Sequence, residues 1–124
     1  MKRLEDIVEI VDQILPPETK KTIFFCEVED RAYECSYYAY FADGSCKQCY
    51  QLAQEELVDP MELEEYFKKM VDFIRETPEY KSEKRNVVTI IIDGSREKVD
   101  FQTFDKSLGL YKLKKEWKLK YLQQ

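Results

Sequence analysis

Apolar side chains recur with a helical period in three segments of this chain, residues 3–15, 59–77 and 109–121. Each segment places its apolar residues along one side, with charged residues between them. Pro16 follows the first segment and ends it, because proline has no amide hydrogen with which to continue a helix. Asp59 and Pro60 open the second segment as an N-cap and a first helical residue. The pattern therefore predicts three amphipathic helices.

Five shorter segments are rich in aromatic and β-branched residues, which is typical of strands. They are residues 22–29, 32–41, 46–51, 86–92 and 97–104. Short turns at Asp30-Arg31, Asp43-Gly44 and Asp93-Gly94 make neighbouring strands antiparallel. The order α-βββ-α-ββ-α predicts a single α+β domain over residues 1–124, with helices packed on the sheet. Its core should include Phe24, Val28, Tyr37, Phe67, Met70, Ile74, Ile90 and Trp117.

The length and composition suit one cytoplasmic domain. A chain of 124 residues can bury a core without disulfides or metal ions. Acidic residues interrupt the first apolar segment, so it differs from a signal peptide, and no apolar run approaches the length of a membrane span. Because thiols stay reduced in the cytoplasm, we expect no structural disulfide.

All four cysteines lie between residues 26 and 49, so a zinc or thiol site has to be considered. With two-residue turns between the first three strands, Cys26 lies opposite Cys35. Cys46 then falls on the same face, about 20 Å away along the strands, and Cys49 points to the other face. Thiolates in this register cannot surround one tetrahedral zinc ion. We expect small packed residues and no metal or other cofactor, with a zinc or thiol module as the alternative.

Charge is distributed unevenly along the chain. Residues 27–65 hold eleven acidic side chains against two basic ones, whereas residues 105–124 hold six lysines against two acids. An acidic surface attracts basic proteins and repels nucleic acid. The lysine-rich segment could contact nucleic acid or a membrane. More often such a helix docks on a sheet with its lysines in solvent, and we expect this arrangement here.

Two acidic patches could bind a basic partner. The first is one face of the predicted hairpin, with Glu27, Glu34, Tyr38 and Tyr40. The second is a turn and the start of the second helix, with Asp43, Glu55, Glu56, Asp59, Glu62 and Glu65. We favour the first, because a cation from a partner would relieve the repulsion between opposed Glu27 and Glu34, and tyrosine is common at hot spots. A structure with a helix over this face would exclude it as a binding site. The alternative for the first patch is an ordinary solvated sheet face. The alternative for the second patch is a set of acids that complement the helix dipole.

The sequence contains no recognisable catalytic apparatus. It has no histidine, so acid–base chemistry would fall on carboxylates or on perturbed lysine, cysteine or tyrosine side chains. Glycine-rich dinucleotide loops, the P-loop and the GxSxG nucleophile motif do not occur in it. We therefore expect a binding protein and not an enzyme.

Four segments in a fixed order match the pattern of a known family. They are TIFFCEVEDRAYECSYYAYF, DPMELEEYFKKM, VVTIIIDGSREKVDFQTF and EWKLKYL. Together they resemble the YezG-like immunity proteins, which are bacterial antitoxins paired with polymorphic or contact-dependent toxins. The resemblance implies that the chain binds the C-terminal domain of a cognate toxin, typically a basic nuclease, and blocks it without catalysis. We also expect no direct contact with nucleic acid or membrane, and we expect a monomer.

Overall fold

Five antiparallel strands form a single sheet in the computed structural model, which describes residue 9 and residues 15–16, 18–94, 96–104 and 109–122. The strands are β1 (Thr19–Val28), β2 (Tyr33–Phe41), β3 (Cys46–Gln48), β4 (Val87–Asp93) and β5 (Arg96–Gln102). Their order in the sheet is β3-β2-β1-β4-β5. The predicted α+β class with an antiparallel sheet is confirmed. The helix predicted at residues 3–15 lies outside the described residues, except for Glu9 and Leu15.

In the described part of the chain, four helices follow the first hairpin: α1 (Cys49–Gln54), α2 (Pro60–Arg75), α3 (Pro78–Lys81) and α4 (Leu110–Tyr121). The predicted second and third helices correspond to α2 and α4. Asp59 caps α2 as expected, because its carboxylate accepts hydrogen bonds from the amides of Met61 and Glu62 at 2.8 and 3.4 Å. Pro78 lies just beyond α2 and is the first residue of α3.

Strand β1 is buried on both of its faces, with no exposed residue from Thr22 to Val28. One face packs against α2, where the rings of Phe24 and Phe67 meet edge to face at 5.5 Å. The other face packs against α4. All eight predicted core residues are buried, seven of them in the cluster around α2 and Trp117 in the cluster around α4.

The first hairpin has the predicted register, with Cys26 opposite Cys35 and Glu27 opposite Glu34. The amide of Glu29 donates to the carbonyl of Ala32 at 2.8 Å across the turn. Arg75, at the end of α2, donates to the carbonyl of Glu29 through Nε and a terminal nitrogen at 3.2 and 2.5 Å. The helix therefore holds the turn in place.

The second turn differs from the prediction by one residue. Tyr40, not Phe41, pairs with Cys46. The extra residue fits because the carboxylate of Asp43 accepts from both the amide and the hydroxyl of Ser45, at 2.8 and 2.6 Å, while Gly44 takes a positive φ of 86°. A one-residue shift moves every later side chain to the opposite face. The strand predicted at residues 46–51 is also wrong beyond residue 48, since α1 begins at Cys49.

Candidate protein-interaction surface

The favoured sheet face, with Glu27, Glu34, Tyr38 and Tyr40, lies beneath α4. Trp117 is at the centre of this contact, with its ring 5.1 Å from that of Phe25 and 5.9 Å from that of Tyr38. The side chain of Glu27 is buried, and the residue is only 4% exposed. The predicted docking of the C-terminal helix on the sheet is confirmed, and the helix occupies the face where we expected a partner.

The cation expected beside Glu34 comes from the chain itself. Lys114 of α4 forms an ion pair with the Glu34 carboxylate. The repulsion between Glu27 and Glu34 is thus offset within the molecule, and the reason for expecting a partner's arginine or lysine here no longer holds. The prediction that this face is an open binding surface is wrong, because α4 needs an apolar support and Ile23, Phe25 and Val87 provide it.

The second acidic patch is on the surface. Its six predicted residues are all exposed, namely Asp43, Glu55, Glu56, Asp59, Glu62 and Glu65. They belong to the β2–β3 turn, to the junction between α1 and α2, and to the first turns of α2. Lys47 connects the two halves of this patch, because it forms an ion pair with Glu55 and lines one groove together with Asp43.

Two of these carboxylates are held in fixed positions. The hydrogen bonds from Ser45 lower the pKa of Asp43 below its ordinary value. Lys47, which lies opposite Ala39 in the sheet, forms a 2.6 Å ion pair with Glu55. That hydrogen bond lowers the pKa of Glu55. Both groups are therefore ionised at neutral pH and present a defined negative surface.

The junction between α1 and α2 contains a residue in the left-handed region. Glu56 has φ of 62°, and its amide donates to the carbonyl of Ala53 while the amide of Leu57 donates to that of Leu52, at 3.1 and 2.9 Å. This is the Schellman arrangement, in which the left-handed position is usually glycine. The bend ends α1 and turns the Leu57 side chain outward, leaving this residue 51% exposed.

Leu57 and Met61 are the apolar residues that sequence reasoning missed. Met61 is 81% exposed at the start of α2, among the acidic residues of the patch. A signal was present in the sequence, because Met61 lies two positions before Leu63, the first buried residue of the helix, and so points away from the inner side. We call the six acidic residues together with Leu57 and Met61 the junction surface.

A groove of about 550 Å³ runs beside the junction surface. Its lining comprises Glu18, Lys20, Phe41, Ala42, Asp43, Ser45, Lys47 and Leu57. A second, smaller hollow of about 340 Å³ also includes Leu57, together with Glu56 and Asp59. Leu57 therefore stands between two concave regions, a position from which an apolar side chain can contact a protruding residue of another protein.

The four cysteines do not gather at one place. Cys26 and Cys35 form a buried cross-strand disulfide with a Cα–Cα separation of 4.3 Å, contrary to the expectation of unlinked thiols. Cys46 is exposed, and the shifted turn puts it on the α4 face of the sheet. Cys49 is buried in the core on the α2 side, again opposite to the prediction. Among the described residues, no three cysteine or acidic side chains are grouped in a way that could hold a metal ion.

The outer side of α4 is basic and exposed. It carries Lys112, Lys115 and Lys118, together with the exposed side chains of Tyr111 and Leu119. No described helix combines the length and apolar character needed to cross a bilayer. This basic side and the junction surface lie on opposite sides of the sheet, since α2 packs on one face and α4 on the other.

Comparison with known proteins gives no further assignment, since the sequence matches no protein-family model and no curated protein.

Proposed function

We propose that this chain is an immunity protein that binds the C-terminal nuclease domain of a cognate bacterial toxin in a stoichiometric complex and blocks it. The observation that carries the proposal is the junction surface, where exposed Leu57 and Met61 lie among six exposed carboxylates. Protein interfaces commonly have this composition, with apolar residues at the centre and polar ones at the rim.

The charge of the junction surface supports a basic partner. A nuclease domain binds the phosphate backbone through lysine and arginine side chains, so an array of exposed carboxylates can occupy the same cleft. Opposite charges also raise the rate of association, which matters when a toxin must be captured before it reaches its substrate. The ion pair of Glu55 and the hydrogen bonds of Asp43 limit the conformational entropy that binding would otherwise cost.

The decisive experiment uses the C-terminal domain of a secreted toxin encoded beside this chain. That domain is expressed in bacteria with and without this protein, and growth is measured together with binding by titration calorimetry. We expect rescue of growth and a one-to-one complex. A toxic domain that is neither bound nor neutralised by the intact protein would overturn the proposal.

A matched pair of variants tests the surface. Glu62→Lys with Glu65→Lys reverses two exposed charges on α2, and Leu57→Ala with Met61→Ala removes the apolar centre. We expect each pair to weaken binding by at least about 2 kcal/mol, or roughly thirtyfold. Glu116→Lys, an exposed reversal on α4, is the control and should leave binding within about threefold. Asp59 is not used, because its substitution would also remove the cap of α2.

A further inference from the structure

Strand β5 forms an open edge of the sheet. All seven of its residues pair with β4 on one side, and the part of the chain that the structure describes places no strand on the other side. Alternate residues of an antiparallel strand direct their N–H and C=O groups to opposite sides, so about half of these groups in β5 face outward. The opposite edge, β3, offers only three residues. A long open edge is a template for pairing with another strand.

The charges of β5 are complementary to themselves. Lys98 and Asp100 lie on the same face of the strand, with Nζ and Oδ2 3.7 Å apart. When two copies of β5 pair antiparallel about Val99, Lys98 lies opposite the partner's Asp100, and the same contact occurs a second time by symmetry. Opposed residues of such a pair are about 5 Å apart at Cβ, close enough for an ion pair. We propose that two copies of this chain associate through β5 into a symmetric dimer with one continuous ten-stranded sheet.

Charge also selects this register over its neighbours. The pairing can shift only in steps that keep each side chain on its own face. A shift in one direction places Lys98 opposite the partner's Lys98, and a shift in the other places Asp100 opposite the partner's Asp100. In the proposed register Arg96 faces a glutamine and Glu97 faces a phenylalanine, so no like charges meet.

Edge strands often carry charges that prevent pairing. A single central lysine would have that effect here, because two copies would then oppose like charges. Asp100, two residues further on, reverses the outcome for a symmetric pair while leaving the edge unfavourable for most other strands. The interface is small, so the dimer should have a dissociation constant in the micromolar range or weaker. The inference does not depend on the proposed function, and it departs from the expectation of a monomer.

The experiment is sedimentation equilibrium of the intact protein from about 10 µM to about 1 mM, concentrations that bracket a weak dimer. Lys98→Asp should abolish dimerisation, because it opposes two acids at each contact, and so should Asp100→Lys, which opposes two lysines. An equimolar mixture of the two variants should restore a dimer, since each variant supplies the charges that the other needs. Arg96→Asp makes the same change in net charge but faces an uncharged residue, and should dimerise like the unaltered protein.

Two outcomes would overturn the inference: an unaltered protein that stays monomeric at the highest concentration, and a dimer that survives Lys98→Asp. Because Asp100 also accepts a hydrogen bond from the Tyr121 hydroxyl at 3.1 Å, thermal unfolding of the Asp100→Lys variant is measured in parallel. The Lys98→Asp variant keeps both Asp100 and Tyr121, and its thermal unfolding is measured as well, so it decides the question even if Asp100→Lys is destabilised.

Discussion

The indole nitrogen of Trp117 donates a hydrogen bond to the hydroxyl oxygen of Thr89 at 2.8 Å, and both residues are buried between α4 and the sheet. Thr89→Val keeps the shape of the side chain but removes the acceptor. We expect a loss of about 1–3 kcal/mol in the free energy of unfolding, because a buried donor is left unsatisfied. Urea denaturation measures this loss.

The control for this prediction is the same substitution in a Trp117→Phe background. Phenylalanine has no N–H group, so Thr89→Val should then cost almost nothing. An equal cost in both backgrounds would show that the hydrogen bond does not account for the effect.

The second prediction concerns Arg75, which reaches from α2 to the turn of the first hairpin. Arg75→Ala should lower the free energy of unfolding by about 2 kcal/mol, because two carbonyl acceptors, those of Glu29 and Ala32, lose a charged donor. Arg75→Lys should recover only part of this loss, since an ammonium group lacks the forked geometry of guanidinium. Amide hydrogen exchange at Glu29 should accelerate in both variants, and protection as strong as in the unaltered protein would contradict the proposed role of Arg75.

The third prediction uses the left-handed residue of the junction surface. Glu56→Gly should raise the free energy of unfolding by up to about 1 kcal/mol, because glycine adopts a positive φ without steric cost. Glu56→Ala removes the same charge but keeps the strain, so it should give no such gain. Thermal unfolding of the two variants at one protein concentration separates the backbone effect from the charge effect, and an equal rise in both would argue against strain at this position.

The fourth prediction is a loss of stability at alkaline pH. Burial raises the pKa of Cys49 to about 11 and that of Tyr50 to about 12, and burial also raises the pKa of Tyr37. These groups are neutral when protonated, and the folded state holds their protons more tightly than the unfolded state does. Their contribution is therefore complete below about pH 9 and falls as the pH rises from there through about 12.

Urea denaturation between pH 7 and about pH 11 tests this dependence. Cys49→Ala should reduce the slope of stability against pH above pH 9, whereas Cys46→Ala, at the exposed cysteine, should change it much less. A slope that is unchanged in Cys49→Ala would show that the buried thiol does not contribute.

The first hairpin could be predicted in register, and the docking of α4 on the sheet was expected, but the face that α4 covers was not. A turn at Asp30-Arg31 fixes which residues face each other, so the pairs Cys26/Cys35 and Glu27/Glu34 follow from counting along two strands. The same counting failed at the next turn, where the side chain of Asp43 bonds to Ser45 and adds a residue to the loop. That hydrogen bond depends on local geometry that residue type does not specify.

The covered sheet face was missed for a different reason. The segment from Thr22 to Val28 is buried without interruption, which is the pattern of a strand enclosed on both sides. We expected the face opposite Phe24 to be an open binding surface, because it carries Glu27, Glu34 and two tyrosines. The sequence indicates that α4 has an apolar side, but tertiary contacts decide where that side docks. One of these contacts is the ion pair in which Lys114 offsets the charge of Glu34 on the acidic face.

The placement of the acidic junction surface and the basic α4 on opposite sides of the sheet gives the described part of the molecule an electric dipole. Residues 55–65 carry six acidic side chains and no basic one, whereas residues 110–121 carry a net charge of +4. In the field of a positively charged body, such a molecule experiences a torque that turns its α2 side forward before any contact is made. The molecule is thus oriented while it diffuses toward a positively charged partner. Added salt should lower the rate of this association more strongly than the net charge of −5 alone would predict.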